Sequence, residues 1–178
     1  DLRRSRGLGD VYKRQKKEKL TITDVVFIIA PRINAAGRMK HGNHAVTLLC
    51  ETDNNLAAEY AIDIDTYNTD RRDADKRITI EALVQIEENK EQDRFTSVVF
   101  DENWHKGVIG IVASRLIETY YRPTLVFTKS GEMLAASARS VKGFDVYNAL
   151  EKCSEYIEQF GGHKSVSYTH LTLPTSYA

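Results

Sequence analysis

The stretch Thr96–Tyr120, TSVVFDENWHKGVIGIVASRLIETY, decides the fold. Thr96 to Phe100 is a short run rich in β-branched residues, the composition of a strand. From Gly107 to Tyr120 the apolar residues Val108, Ile111, Val112 and Leu116 recur in steps of three, one and four, the pattern of a helix with one buried face. A strand that feeds a helix in this way opens an α/β unit. Downstream, Pro123 leads into a strand at Thr124 to Phe127. Ser130-Gly131 is a turn, and a further strand covers Met133 to Ser140. Lys142-Gly143 breaks the pattern, and Asp145 caps a helix expected to run to about Phe160. The predicted fold is α/β, a mixed sheet with flanking helices.

Upstream, Lys90 to Arg94 is a charged break. Before it, Asp53 is a suitable N-cap for a long polar helix. Its stripe runs Leu56, Tyr60, Ile64, Tyr67, Arg71, Ala74, Ile78, Ala82 and Ile86, again in steps of three and four. The spacing predicts one helix from Asp53 to about Asn89, roughly 55 Å long, a connector between domains ahead of the sheet. Asp63, Asp65, Asp70, Asp73 and Asp75 read as its solvated face. Earlier still, Val25 to Ala30 (VVFIIA) reads as a buried strand or short core segment stopped by Pro31. Pro31 to His44 reads as a functional loop leading into a helix at Ala45 to Cys50.

Composition narrows the function classes. The chain has 178 residues, 25 basic and 25 acidic, with 42% hydrophobic and 28% charged residues. Such a chain affords a buried core, and wholesale disorder is excluded. No apolar run approaches the ~20 residues of a membrane span, no secretory leader is evident, and Cys50 and Cys153 form no disulfide framework. A cytoplasmic location is expected. Zero net charge argues against a protein that coats polyanions, but not against a local basic groove.

Residues 1–15 and 165–178 differ in composition from the middle. DVYKRQ (Asp10–Gln15) and VSYTHLTLPTS (Val166–Ser176) resemble translations of the transposon ends and adaptor arms used in sequencing libraries. Both segments are expected to be adaptor-derived tails that pack poorly. Without them the chain keeps 20 basic and 23 acidic residues, a net charge of −3. The basic cluster Arg3, Arg4, Arg6, Lys13 and Arg14 then carries no argument for nucleic-acid binding.

Four blocks could carry chemistry. In PRINAAGR (Pro31–Arg38), Arg32 and Arg38 flank Asn34 and a run of small residues. Arginine grips phosphate bidentately and small residues allow close backbone approach; a tight loop with solvated arginines is the plainer reading. In WHKGVIGIVASR (Trp104–Arg115), His105 precedes a glycine-led helix start, whose free N–H groups and positive dipole end favour an anion. Arg115 lies about two turns on. His105 reads equally as a structural histidine, and Trp104 as core. In SARS, period-two alternation puts Ser137 and Arg139 on one face, a hydroxyl and a guanidinium fit to clamp phosphate; a plain strand end is the alternative. Gly161-Gly162-His163 allows a sharp bend and a donor imidazole, although a glycine helix cap is the default. No Asp/His cluster has metal-ligand spacing, and no nucleophilic triad is evident.

In this order PRINAAGRM, WHKGVIGIVASRL, SARS and GGH resemble the motifs of the RecJ family, single-strand-specific DNA exonucleases of the DHH phosphoesterase superfamily. The resemblance spans about Asp24 to His163. It implies that residues 16–52 end a DHH domain, 53–93 form the connecting helix and 94–164 a truncated DHHA1-like domain, between the tails 1–15 and 165–178. It implies a 5′-to-3′ exonuclease that releases 5′-mononucleotides, with single-stranded DNA as partner, no membrane, and Mn²⁺ or Mg²⁺ held in the whole protein but not by this fragment. The fragment alone is expected to be inactive. By the same resemblance Arg38 would contact the DNA backbone. Arg115, Ser137 and Arg139 would bind the 5′ phosphate, and Gly161, Gly162 and His163 would lie by the scissile phosphate. Arg32, Asn34 and His105 complete the expected substrate-binding set. Two departures stand out. Ala136 precedes Ser137 where the family usually has glycine, and the motif begun by Gly161 is not completed after Lys164. Another DHH-family phosphodiesterase, acting on oligoribonucleotides or cyclic dinucleotides, and a non-catalytic nucleic-acid-binding module are the alternative readings.

Overall fold

The structure is a computed structural model and describes residues 19–172. The expected tail 1–15 lies outside the described residues. The chain divides into two compact units, residues 1–73 and 74–178, and a long helix contributes to each.

The first unit is helical from its start. Thr21 and Asp24 form a capping box: the Asp24 N–H donates to Thr21 Oγ1 at 3.3 Å and the Thr21 N–H to Asp24 Oδ2 at 2.9 Å. That box launches a helical turn, Ile22–Asp24, a π-helical segment, Val25–Ile29, and then α1, Ala30–Met39. The strand expected at Val25 to Ala30 and the loop expected at Pro31 to His44 are therefore corrected. A β-branched run followed by proline resembles a strand and its stop, but proline is tolerated in the first turn of a helix. Here the preceding wide turn, with the Ala30 N–H reaching back to Val25 O, leads straight into it. Helix α2, Asn43–Cys50, follows. Ala36, Ala45, Leu48, Ala57, Ala61 and Ile64 form the unit's core, flanked by Ile29, Ile33, Tyr60 and Tyr67.

Helix α3 runs from Asn54 to Glu88 without a break, about 52 Å. Asp53 caps it as expected, accepting from the Asn55 and Leu56 N–H groups at 2.8 and 3.1 Å. The buried line includes Ile64, Ile78, Ala82 and Ile86 of the predicted stripe and departs from it at Leu56, Tyr60, Tyr67, Arg71 and Ala74. In the first unit it comprises Ala57, Ala61, Ile64 and Asn68, while Leu56 is exposed. In the second it comprises Asp75, Ile78, Ala82 and Ile86.

The second unit is a five-stranded sheet, with β1 (Ser97–Phe100), β2 (Thr124–Ser130), β3 (Met133–Arg139), β4 (Gln159–His163) and β5 (Val166–Thr172). The order is β1-β2-β3-β5-β4. β1 and β2 are parallel, joined through α4 (Ile109–Tyr120); the other pairs are antiparallel. Val108, Val112 and Leu116 are fully buried, as the period predicts. Helix α5 (Val146–Glu151), capped by Asp145, packs Val146 and Leu150 against Ala138 on the sheet. It ends nine residues short of the expected Phe160, because Gln159–His163 is drawn into the sheet as β4.

The segment expected to pack poorly after Lys164 is also corrected. Val166–Thr172 is β5, paired along its whole length with β3 and along five positions with β4. Its β-branched and aromatic content suits a strand, and β3 otherwise presents an unpaired edge.

Two polar devices finish the unit. Arg122, buried, donates through Nε to Ser97 Oγ (2.7 Å), through Nη1 to the carbonyls of Gln92 and Arg94 (2.6 Å each), and through Nη2 to Glu91 O (2.9 Å). It thereby ties the turn after α3 to the foot of β1. On the free side of β1, the Gln85 side-chain amide donates to Phe100 O and accepts from Phe100 N–H, both at 2.9 Å. It pairs with the strand as a neighbouring backbone would.

Replacing Arg122 with Met removes donors from three carbonyls and one hydroxyl at once. Urea denaturation should show a loss of about 2–4 kcal/mol. Arg77→Ala, which breaks an exposed i,i+4 pair with Glu81, should cost no more than about 0.5 kcal/mol.

Candidate nucleic-acid interface

The loop between β1 and α4 is fixed before it reaches the helix. Trp104 is buried; its indole N–H donates to Glu81 Oε2 at 2.8 Å and its carbonyl accepts from Thr128 Oγ1 at 2.6 Å. This is the core role that composition favoured. The adjacent His105 accepts the Gly107 N–H on Nδ1 at 3.1 Å. In the neutral ring this leaves the proton on Nε2, so His105 is a donor at that atom. The chain then enters α4 with Val108 as N-cap; in the first turn the Ile109 N–H donates to His105 O at 3.3 Å and the Ile111 N–H to Val108 O at 2.8 Å.

Helix α4 crosses the β2–β3 face so closely that its second residue, Gly110, borders the side chains of β3. A Cβ on Gly110 would stand 2.9 Å from both Arg139 Nη2 and Ser137 Oγ. Ser137 and Arg139 share one face of β3, as the alternation predicts, and Arg139 Nη1 donates to Ser137 Oγ at 3.1 Å and to Ala138 O at 3.0 Å. A guanidinium, a hydroxyl and the positive end of a helix therefore meet at one backbone position. That combination suits an anion with several oxygens, a phosphate above all. Sequence reasoning missed Gly110; the available signal was a glycine inside an otherwise apolar helix turn, where it needs a packing reason.

The sheet register carries this row further. Ser137 pairs with Tyr168, which pairs with Gly161; Arg139 pairs with Val166, which pairs with His163. Gly161-Gly162-His163 therefore lies two strands away, about 10 Å, on the same rows. It sits in an edge strand and not at a helix cap. Gly162 has φ +140°, and a Cβ there would lie 2.2 Å from Val166 O. His163 is exposed and accepts the Ser165 N–H on Nδ1 at 3.3 Å.

Arg115 is placed differently from expectation. Nε and Nη2 hold Asp75 Oδ1 and Oδ2 at 2.7 and 2.8 Å, a bidentate pair. The hydrogen bond to Asp75, and then its charge, raise the Arg115 pKa above the usual arginine value. Asp75, expected on a solvated face, has a side chain only 2% exposed. Five residues separate Gly110 from Arg115, about 140° around the axis, so Arg115 serves the α3 side of α4 while Gly110 serves the sheet.

In the first unit, Arg32 donates through Nε to Asp65 Oδ1 at 2.9 Å and through Nη1 to Ile28 O at 3.0 Å. Burial lowers its pKa, against the opposing pull of Asp65. Asp65 is thus a partner, not a solvated residue. Asn34 and Arg38, four residues apart on α1, are both exposed. Among the described residues no three His, Cys, Asp or Glu side chains are grouped so as to hold a metal ion, and no helix is long and apolar enough to cross a membrane.

Gly110→Ala tests the convergence. Only side-chain atoms obstruct the new methyl, and alanine is the better helix former by about 1 kcal/mol. Stability should therefore stay within roughly 1 kcal/mol of the parent. Inorganic phosphate, titrated while the Arg139 Nε–H resonance is followed, should bind at least about fivefold more weakly, the loss of one charge-assisted contact.

The profile of the DHHA1 domain matches residues 92–175. The single-stranded-DNA-specific exonuclease RecJ of Bacillus subtilis is 38% identical over 141 residues, covering 78% of this chain and 18% of that protein. The Haemophilus influenzae protein of the same name is 34% identical over 165 residues, covering 88% of this chain and 28% of that protein. A crystal structure of exonuclease RecJ bound to manganese has a TM-score of 0.81 at 27% identity, covering 94% of this chain and 40% of that one. RecJ from Thermus thermophilus in complex with Mg²⁺ has a TM-score of 0.78 at 26% identity, covering 94% and 25%. The chain spans less than a third of the length of these two curated relatives. Domain profile, sequence and fold agree that this chain, a mixed sheet preceded by one long helix, is similar to RecJ exonucleases and matches the DHHA1 domain over residues 92–175.

Proposed function

We propose that this chain is part of a 5′-to-3′ single-stranded-DNA exonuclease that releases 5′-mononucleotides, and that it supplies the half that grips the strand and its 5′ phosphate. The observation that carries the reading is the meeting of Ser137, Arg139 and the α4 N-terminus at Gly110. A terminal phosphate bears more charge and more free oxygens than an internal phosphodiester. A guanidinium beside a hydroxyl and the positive end of a helix rewards both. His105, His163, Gly161 and Gly162 belong to the same half, and Asn34 and Arg38 offer polar contacts for the backbone of the strand. Arg32 and Arg115 act as struts through Asp65 and Asp75.

Among the described residues no three His, Cys, Asp or Glu side chains are grouped so as to hold a metal ion. We infer that the whole enzyme uses Mn²⁺ or Mg²⁺ held by residues outside this chain, and that this chain contributes binding without hydrolysis.

Fluorescence anisotropy with 5′-phosphorylated and 5′-hydroxyl single strands tests the assignment. The chain should prefer the phosphorylated strand and release no mononucleotide when Mn²⁺ is added. Arg139→Ala should remove about 1.5–3 kcal/mol of binding to the phosphorylated strand, and less from the hydroxyl strand. Lys129→Ala, at an exposed position on β2, should change neither. An equal loss on both strands would make Arg139 a general backbone contact, and no loss would return Ser137 and Arg139 to the role of a plain strand end.

A further inference from the structure

At the foot of the sheet in the second unit lies an open cleft of about 540 Å³ whose walls include Arg94, Phe95, Tyr120, Tyr121, Pro123 and Phe144. Its aromatic rings are poorly covered: Phe95 is 95% exposed, Tyr121 67% and Phe144 38%. Single exposed aromatics are ordinary, but three around one hollow are not. Tyr121 is held at φ +29°, a conformation costly for a bulky side chain, at the point where α4 ends. A residue kept in strain with its ring in solvent points to a use for that ring. Tyr120 is already engaged, stacked on the Arg122 guanidinium at 4.7 Å, which leaves Phe95, Tyr121 and Phe144 as the available faces.

The rim gives the class of ligand. Arg94 and, beside the cleft, Lys142 are exposed cations, against one acidic lining residue, Asp93. Flat aromatic faces flanked by cations suit a planar base carried on an anionic chain. The cleft adjoins the strand ends that carry the clamp, although Gly110, Ser137 and Arg139 do not line it. Val141, in its wall, lies two residues beyond Arg139, and Pro123 lies next to Thr124, the partner of Arg139 in the sheet. The turn between them is pinned by Ser140, whose hydroxyl donates to Phe144 O at 2.9 Å.

We propose that this cleft seats a nucleobase of the same single strand whose terminal phosphate is held at Ser137 and Arg139. The proposal rests on the function given above. It adds a stacking site, and with it a requirement that the strand carry bases near its 5′ end. Stacking reads the flat face that every base shares, so the site is indifferent to sequence.

The test uses the 178-residue chain, a short 5′-phosphorylated single strand with 2-aminopurine near its 5′ end, and the same strand with abasic positions there. The 2-aminopurine fluorescence should be quenched on binding, and the abasic strand should bind about 5- to 100-fold more weakly, the range for one lost base–aromatic stack. Tyr121→Gly and Phe95→Ala should erase the quenching and reduce affinity for the base-bearing strand to that for the abasic one. Tyr121→Gly should melt no lower than the parent, because glycine relieves the positive φ; a ring with only a structural role would show a lower melting temperature instead. Equal binding of base-bearing and abasic strands, or unchanged quenching in both variants, overturns the proposal. If Arg139→Ala weakens binding while the cleft variants do not, the phosphate clamp stands and the stacking site falls. If the chain binds neither strand, both fall.

Discussion

The close approach of α4 to the β2–β3 face at Gly110 is the constraint on which the candidate site depends. A helix can bring its N-terminal dipole to a strand-borne guanidinium only where no side chain intervenes, and Gly110 is that place. Everything nearby holds the approach in register. Asp75 grips Arg115 on the other side of α4, Glu81 grips the indole of Trp104 in the loop before it, and Thr128 holds the same residue's carbonyl. These partners come from α3 and β2. The long helix is thus a template for the site and more than a spacer. Its buried line in this unit, Asp75, Ile78, Ala82 and Ile86, alternates one charged anchor with three apolar ones.

Much of this was legible in the residues. The helix over Asn54–Glu88, its Asp53 cap, the strand–helix–strand–strand order and the shared face of Ser137 and Arg139 all follow from period and turn chemistry. The misreadings have a common cause, since local patterns are ambiguous until long-range partners choose between them. VVFIIA followed by proline looks like a strand, yet the Thr21–Asp24 capping box just upstream was itself a readable sign of a helix. A helix period places Asp65 and Asp75 on a solvated face because it cannot reveal that Arg32 and Arg115 arrive from elsewhere in the chain. Gln159–His163 and Val166–Thr172 became strands because β3 had an edge to fill.

The charge balance follows the same logic. A chain with equal numbers of basic and acidic residues still sets the Arg139 guanidinium beside Ser137 Oγ and the α4 N-terminus. Several of its arginines are spent on internal partners, Arg32 on Asp65, Arg115 on Asp75 and Arg122 on backbone carbonyls. Net charge therefore says little about the anion affinity of such a domain. The disposition of a few guanidinium groups, and of the helix end among them, says much more.

The Gln85 amide that pairs with Phe100 has a consequence for how copies of this protein meet. A sheet edge is a template that invites another strand. At β1 the template is occupied at Phe100 by a side chain that copies the backbone pattern and cannot propagate it. At the opposite margin β4 is the last strand in the order, and two of its five residues are glycines. The two margins of the sheet therefore differ: a strand arriving beside β1 would have to displace the Gln85 amide at Phe100, whereas β4 carries no such side-chain pairing among the described hydrogen bonds.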